Sequence, residues 1–271
     1  MKFFEGCTAL ITGASAGLGV EFARQLAPYA NTLVLVARRN DRLEQLRSDL
    51  MELFPELKVL VYSADLSDES QRSAFINWLG ENHVDVNFLI NNAGLGDHGS
   101  FAESDWERVR AMLNTNIHAL THLTHALVPR MLAGDRGAAV LNVSSVAGFF
   151  PLPNFSVYSA TKAFVTSFSE SLAMELKPHG ISVTALCPGP VPTEFFEVAS
   201  REGAKDRQPH HESMSLFATS PAEVVYTGLR GVIRERTRVV PNPLLCFAVG
   251  AALLVPFFIT RKILSASASR F

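Results

Sequence analysis

Tyr158 and Lys162 stand four residues apart in the stretch S-S-V-A-G-F-F-P-L-P-N-F-S-V-Y-S-A-T-K, Ser144 to Lys162. That spacing sets both on one face of a helix. A free phenol ionises near pH ~10, so it exchanges protons at neutral pH only where a nearby cation stabilises the phenolate. Lys162 is placed to be that cation. A hydroxyl from Ser145 or Ser144, a short loop upstream, can hold a substrate oxygen while Tyr158 handles the proton, as carbonyl reduction or alcohol oxidation requires. This chemistry needs a hydride source elsewhere in the chain. Without one, the Tyr and Lys merely share an exposed helix face.

The elements that must supply it begin near the first residue. Cys7 to Thr12 is a short apolar run that enters T-G-A-S-A-G-L-G, and E-F-A-R-Q-L-A follows with helical spacing. Strand, glycine loop and helix in that order let the backbone approach a pyrophosphate and present free N–H groups to it. The loop residues concerned are Thr12, Gly13, Ser15, Gly17, Leu18 and Gly19; their glycine spacing departs from the commoner G-x-G-x-x-G. A second buried strand, Thr32 to Ala37, ends in Arg38 and Arg39. An acidic residue there takes the ribose hydroxyls of NAD, whereas an arginine accommodates the 2'-phosphate of NADP, so NADP is expected. Solvated arginines opening the next helix are the alternative. A third strand, Lys58 to Ala64, delivers Asp65 and Leu66, where Asp65 either accepts from an adenine amino group or caps a helix. A fourth, Val86 to Ile90, runs into Asn91, Asn92, Ala93 and Gly94, at the end of the sheet where such folds bind ligands.

With T-G-A-S-A-G-L-G at 12 to 19, N-N-A-G at 91 to 94, N-T-N-I around Asn116, Ser144-Ser145, Y-S-A-T-K at 158 to 162 and P-G-P-V-P-T at 188 to 193, the chain resembles the short-chain dehydrogenase/reductase family from about residue 6 to residue 240. The resemblance implies a single-domain α/β fold, a doubly wound, Rossmann-like parallel sheet of about seven strands. It also implies catalytic Asn116, Ser145, Tyr158 and Lys162, Ser145 being the serine thirteen residues before the tyrosine. Asn116 would break its helix locally and orient a water that links Lys162 to solvent, with Asn114 the competing candidate. Lys162 would also hold the nicotinamide ribose, together with Tyr158. Pro188, Gly189, Val191 and Thr193 would meet the nicotinamide, Thr193 at its carboxamide. No metal is implied, although His118, His122 and His125 share a helical face that could in principle hold one.

Composition narrows the class. A net charge of -2 and no basic cluster argue against nucleic-acid binding. Cys7, Cys187 and Cys246 are odd in number and set in apolar runs, which reads as buried free thiols in a reducing, cytoplasmic setting; no N-terminal signal is expected. Phe149 to Phe155 reads as a proline-stiffened loop that lines a substrate pocket or packs against a lid, and Phe195 to Ser220, with His210 and His211, as that lid. Residues 1 to 243 are then the oxidoreductase domain and 244 to 271 an apolar extension. Leu244 to Ile259 is uncharged but shorter than the roughly 20 residues of a spanning helix, so burial in the fold or in a homo-oligomer, dimer or tetramer, is expected ahead of membrane contact through 244 to 262. The expected activity is an NADP-dependent oxidoreductase on a carbonyl or secondary alcohol of a hydrophobic small molecule, such as a steroid, retinoid or fatty acyl ketone. The alternative is a non-catalytic NADP-binding sensor or scaffold.

Overall fold

The computed structural model describes residues 1–134, 136–200, 217–256 and 259. Seven strands, β1 (Thr8–Thr12), β2 (Thr32–Ala37), β3 (Lys58–Ser63), β4 (Phe88–Asn91), β5 (Ala138–Val143), β6 (Ile181–Leu186) and β7 (Arg238–Val239), form one sheet in the order β3-β2-β1-β4-β5-β6-β7. Every pairing is parallel. Strand order reverses between β1 and β4, and the loops leaving these two strands diverge there to open a crevice. The doubly wound α/β architecture expected from the motifs is therefore the one observed, with strand ends shifted by a residue or two.

Helices cover both faces because the strands are apolar on both faces. Ala9 and Ile11 of β1 point into one core with Phe22 and Leu26 of α1 (Gly17–Leu26), Leu43 and Leu50 of α2 (Asn40–Leu53) and Val224 and Leu229 of α8 (Pro221–Ile233). Leu10, between them, points into the other core. There it joins Phe75 and Leu79 of α3 (Glu69–Glu81), Leu123 and Leu127 of α5 (Leu120–Ala133), and Ala173 and Leu176 of α6 (Ser156–Leu176). Strand periodicity of two thus feeds two layers from one run of residues.

Between β4, β5, α5 and α6 the interior is polar. Asn91 Nδ2 donates to Thr124 Oγ1 at 3.0 Å and to Asn142 Oδ1 at 2.8 Å, and Asn142 Nδ2 donates to Ser169 Oγ at 2.9 Å. All four residues are buried, so each amide relies on these partners in place of water. Asn91, read with its neighbours as a ligand-site residue, is a structural tie. The seam sets the two central strands against the helix that carries Tyr158 and Lys162. Asn142→Ala, which strips two buried partners at once, should lower unfolding stability by about 2 kcal/mol, measured by urea denaturation.

Candidate active site

The C-terminal end of β5 presents Ser144 and Ser145, and their roles divide by geometry. Ser144 Oγ donates to the backbone oxygen of Lys162 at 2.8 Å and sits 2.7 Å from Thr166 Oγ1, which ties α6 to the strand end. Ser145 Oγ accepts from Ala147 N at 3.1 Å, capping a short turn over Val146–Phe149, lies 3.5 Å from Pro188 O, and stands near enough to Tyr158 to pull its phenol down. A Cβ on Gly148 in that turn would lie 2.7 Å from the backbone carbon and oxygen of Lys162. Only a glycine lets the turn lie against α6. The motif reading passed over Gly148, although a glycine three residues past the serine pair was visible.

Tyr158 and Lys162 share one face of α6 as their spacing dictates, and both side chains are buried. Lys162 Nζ donates to Val143 O at 2.8 Å and lies 5.7 Å from the Tyr158 ring centre. Burial pushes the Lys162 ammonium down to about 8 and the Tyr158 phenol up to about 12, the latter against the opposing pull of the Ser145 hydrogen bond. Desolvation therefore outweighs the pull of the serine at the phenol. In this arrangement Tyr158 holds its proton at neutral pH.

The helical region before β5 is interrupted as expected: α4 (Trp106–Leu113) runs into a π-helical turn over Asn114–Ala119 before α5. Asn116, rather than Asn114, is buried and turned inward. Its Nδ2 donates to Leu95 O at 2.9 Å and to Thr161 Oγ1 at 3.0 Å, and its Oδ1 accepts from Leu95 N at 2.8 Å. The side chain is a staple between the loop after β4 and α6, with its hydrogen-bonding groups engaged. His122 Nδ1, on the same helical region, accepts from Arg72 at 3.1 Å. Among the described residues no three His, Cys, Asp or Glu side chains form a group able to hold a metal.

A cavity of about 610 Å³ runs from the ends of β2 and β3, past the loop after β1, to Tyr158. At one end it is lined by Gly13, Ser15, Gly17, Leu18, Arg38 and Arg39, with Asp65 and Leu66 beyond them. Asn92, Ala93, Gly94, Ser145, Lys162 and Thr193 line the middle, together with Pro188, Gly189 and Val191. Two expected ligand residues lie behind the wall instead. Thr12 Oγ1 accepts from Asn92 N and Ala93 N, both at 2.9 Å, so its hydroxyl serves the frame. Gly19 is required for closeness: a Cβ there would fall 2.2 Å from Gly13 O.

Asp65 does not cap α3 but braces the turn before it. Its Oδ1 accepts from Ser67 N at 2.9 Å and Ser67 Oγ at 2.7 Å, Arg38 lies 4.0 Å from Oδ2, and the cap of α3 is Asp68, which accepts from Gln71 N at 2.9 Å. Arg39 reaches Ser15 Oγ at 3.3 Å and pairs with Glu194 at 3.0 Å, and Arg42 pairs with the other Glu194 oxygen at 2.7 Å. These arginines, Arg42 first, hold the Glu194 carboxyl below its ordinary range. Glu194 follows Thr193, so one carboxylate joins the arginine end of the cavity to the segment beside Tyr158. No sequence spacing announced that contact.

The far end is apolar. Phe150, Leu152 and Phe155 line it, as expected of that loop, while Phe149 instead lies under Arg238 at 4.9 Å. Phe155 and Phe195 flank the Tyr158 ring at 5.9 and 5.5 Å between centres. Phe195 opens α7 (Phe195–Ala199), the start of the expected lid; residues 201–216, His210 and His211 among them, lie outside the described residues. Leu245 and Val249 of α9 (Pro243–Leu254) complete the wall. The rest of that helix is not buried in the chain's own fold, and the expected burial in a homo-oligomer stays open. Phe247 and Leu254 are 76% and 87% exposed, and Cys246, expected to be buried, is exposed beside them, because only one edge of the helix meets the fold.

Burial of Lys162 makes a pH prediction. Between about 8 and 10.5 the unfolded chain holds a proton on this amine that the folded chain has lost, so stability from this group rises with pH across that window; below 8 the cost of burying the charge is present in full. Lys162→Met removes the titration. Relative to that variant, the parent should gain up to about 3 kcal/mol between those pH values in urea unfolding. The Tyr158 phenol, raised in the fold, costs stability above its ordinary value of 10 in both proteins and cancels in the comparison.

Known proteins resemble this chain along most of its length. A family model described as short chain dehydrogenase matches residues 7–203. Sulfoacetaldehyde reductase 2 of Chromohalobacter salexigens is 36% identical over 225 residues, covering 80% of this chain and 86% of that protein. A short-chain dehydrogenase from Sphingobium yanoikuyae, solved in complex with NADPH, is 32% identical with a TM-score of 0.77 and covers 93% of this chain and 97% of its own. A short chain dehydrogenase/reductase from Burkholderia phymatum, solved in complex with NAD, is 25% identical with a TM-score of 0.79, covering 92% and 93%. The alignment, the sheet order and the Ser145, Tyr158 and Lys162 cluster lead to one conclusion: the chain belongs to the short-chain dehydrogenase family.

Proposed function

We propose that this protein is an NADP-dependent oxidoreductase that interconverts a carbonyl and a secondary alcohol on a hydrophobic small molecule. The observation that carries the reading is that Ser145, Tyr158 and Lys162 line one cavity, with a glycine loop at one end and phenylalanines at the other. The residues present fit a nicotinamide dinucleotide. The first turn of α1 has no side-chain cap, so its N–H groups remain for a pyrophosphate, and the Gly13 and Gly19 approach leaves room for it. When bound, the nicotinamide supplies or accepts the hydride.

The chain's own groups do the rest. Ser145 holds the substrate oxygen, Tyr158 gives it a proton in reduction, and Lys162 in its protonated form orients the ribose and favours the departing charge on the phenol. Asn116 positions Lys162 through its hold on Leu95 and Thr161, and any water-orienting role falls to its backbone because its side chain is engaged. Relatives with NADPH and with NAD leave the cofactor to local chemistry. Here Arg38 and Arg39 stand at the end of β2 with no carboxylate in their place, which supports NADP. The substrate end favours an apolar carbonyl over a small sulfonate of the kind named for the Chromohalobacter relative. Among the described lining residues the only cations are Arg38, Arg39 and Lys162, and none of them stands beside the phenylalanines as a sulfonate partner.

Tyr158→Phe should lower turnover of a bulky ketone by at least about 100-fold while NADPH affinity, read by fluorescence titration, stays nearly intact; unchanged turnover would remove Tyr158 as the proton donor. Arg38→Asp should weaken NADPH by about tenfold or more and leave NADH close to its starting affinity. Equal losses for both would take Arg38 away from the 2'-phosphate. Glu194→Gln frees Arg39 from a competing carboxylate, so NADPH should tighten by up to about fivefold with no change for NADH, the modest size reflecting solvent exposure of the pair.

A further inference from the structure

We infer that α9 is a docking element for an anionic bilayer surface, lying in the interface without crossing it. No charged residue stands between Arg238 and Arg261, so the helix has no polar face to turn to water. One edge, Leu245 and Val249, closes the apolar end of the cavity, and Val249 is the helix's one buried residue. Leu244, Phe247, Leu253 and Leu254 are left exposed, by 48%, 76%, 50% and 87%. A helix of 12 residues reaches about 18 Å, well short of the roughly 30 Å hydrocarbon core, and no described helix is long and apolar enough to cross a membrane. Lying along the surface is the arrangement that buries this face without leaving its ends in hydrocarbon.

Charge selects the occupant. Past Glu235 the sequence carries Arg236, Arg261, Lys262 and Arg270, besides Arg238, which is paired with Glu170, and no acidic residue. Anionic headgroups complement this excess of positive charge, whereas a second copy carries the same charge. Because the same helix lines the cavity, docking would also bring the apolar end of the cavity to the lipid; this last clause rests on the proposed activity, the docking itself does not.

The test is flotation of the full chain with vesicles of phosphatidylcholine alone or mixed with phosphatidylglycerol. Partition onto the mixed vesicles should exceed that onto neutral ones, weaken as salt is raised, and fall at least about tenfold in the double variant Phe247→Asp, Leu254→Asp. Both positions lie outside the cavity wall, so the variant should keep the parent's unfolding midpoint and its NADPH affinity. The salt series on the unaltered chain reads the charge contribution without relying on any variant. Partition equal on neutral vesicles, indifferent to salt or unchanged in the double variant overturns the inference. So does absence of partition, including the case in which sedimentation shows a dimer that the double variant dissociates, since a second copy then covers the face. None of these readouts uses turnover, so the inference can fail or stand independently of the proposed activity.

Discussion

Everything at the candidate site depends on how closely α6 can lie against the end of β5. Ser144 is bonded to the backbone oxygen of Lys162, and the turn that follows passes over the same peptide with room only for the missing side chain of Gly148. That contact brings the strand-borne Ser145 and the helix-borne Tyr158 to the wall of one cavity. It also aims Lys162 at Val143 O. A shift of the helix by the thickness of one methyl group would separate the serine from the phenol, and the polar seam of Asn91, Asn142, Thr124 and Ser169 holds the helix against such a shift.

The closeness that assembles the site also dries it, and the two buried ionisable groups respond in opposite directions. The lysine loses its proton more readily than in water and the tyrosine less readily. A buried ammonium costs stability, which the chain accepts at a position with one strong backbone acceptor. The expected simple picture, a lysine charge that lowers the phenol, leaves out the cost of burial. In the dry cavity the serine hydrogen bond is the interaction that opposes the effect of burial on Tyr158.

The cavity has two chemically distinct ends joined by one short segment. Arginines from the end of β2 and the start of α2 meet Glu194, while the adjacent Phe195 lies beside Tyr158. The apolar end is closed by α9, whose outer face has no cover among the described residues, so the wall of the site and the exposed apolar surface are two sides of one helix.

The sequence alone determined the sheet, its parallel sense and the ligand side, because apolar runs buried on both faces, glycine loops and helical spacing are local signals. It also placed Tyr158 and Lys162 on one face, since a spacing of four has one outcome in a helix. Roles that depend on which distant atom a side chain reaches were decided only by tertiary structure. Thr12 turned from ligand residue to frame because Asn92 and Ala93 present their N–H groups to it, and Ser144 became an anchor because Lys162 O lies beneath it. The Glu194 clamp joins positions more than 150 residues apart, and the exposure of Phe247 follows from which edge of α9 meets the cavity. An apolar run tells that a helix wants cover on every side. Only the packed fold shows which sides remain without it, because burial is a property of the neighbours rather than of the residue.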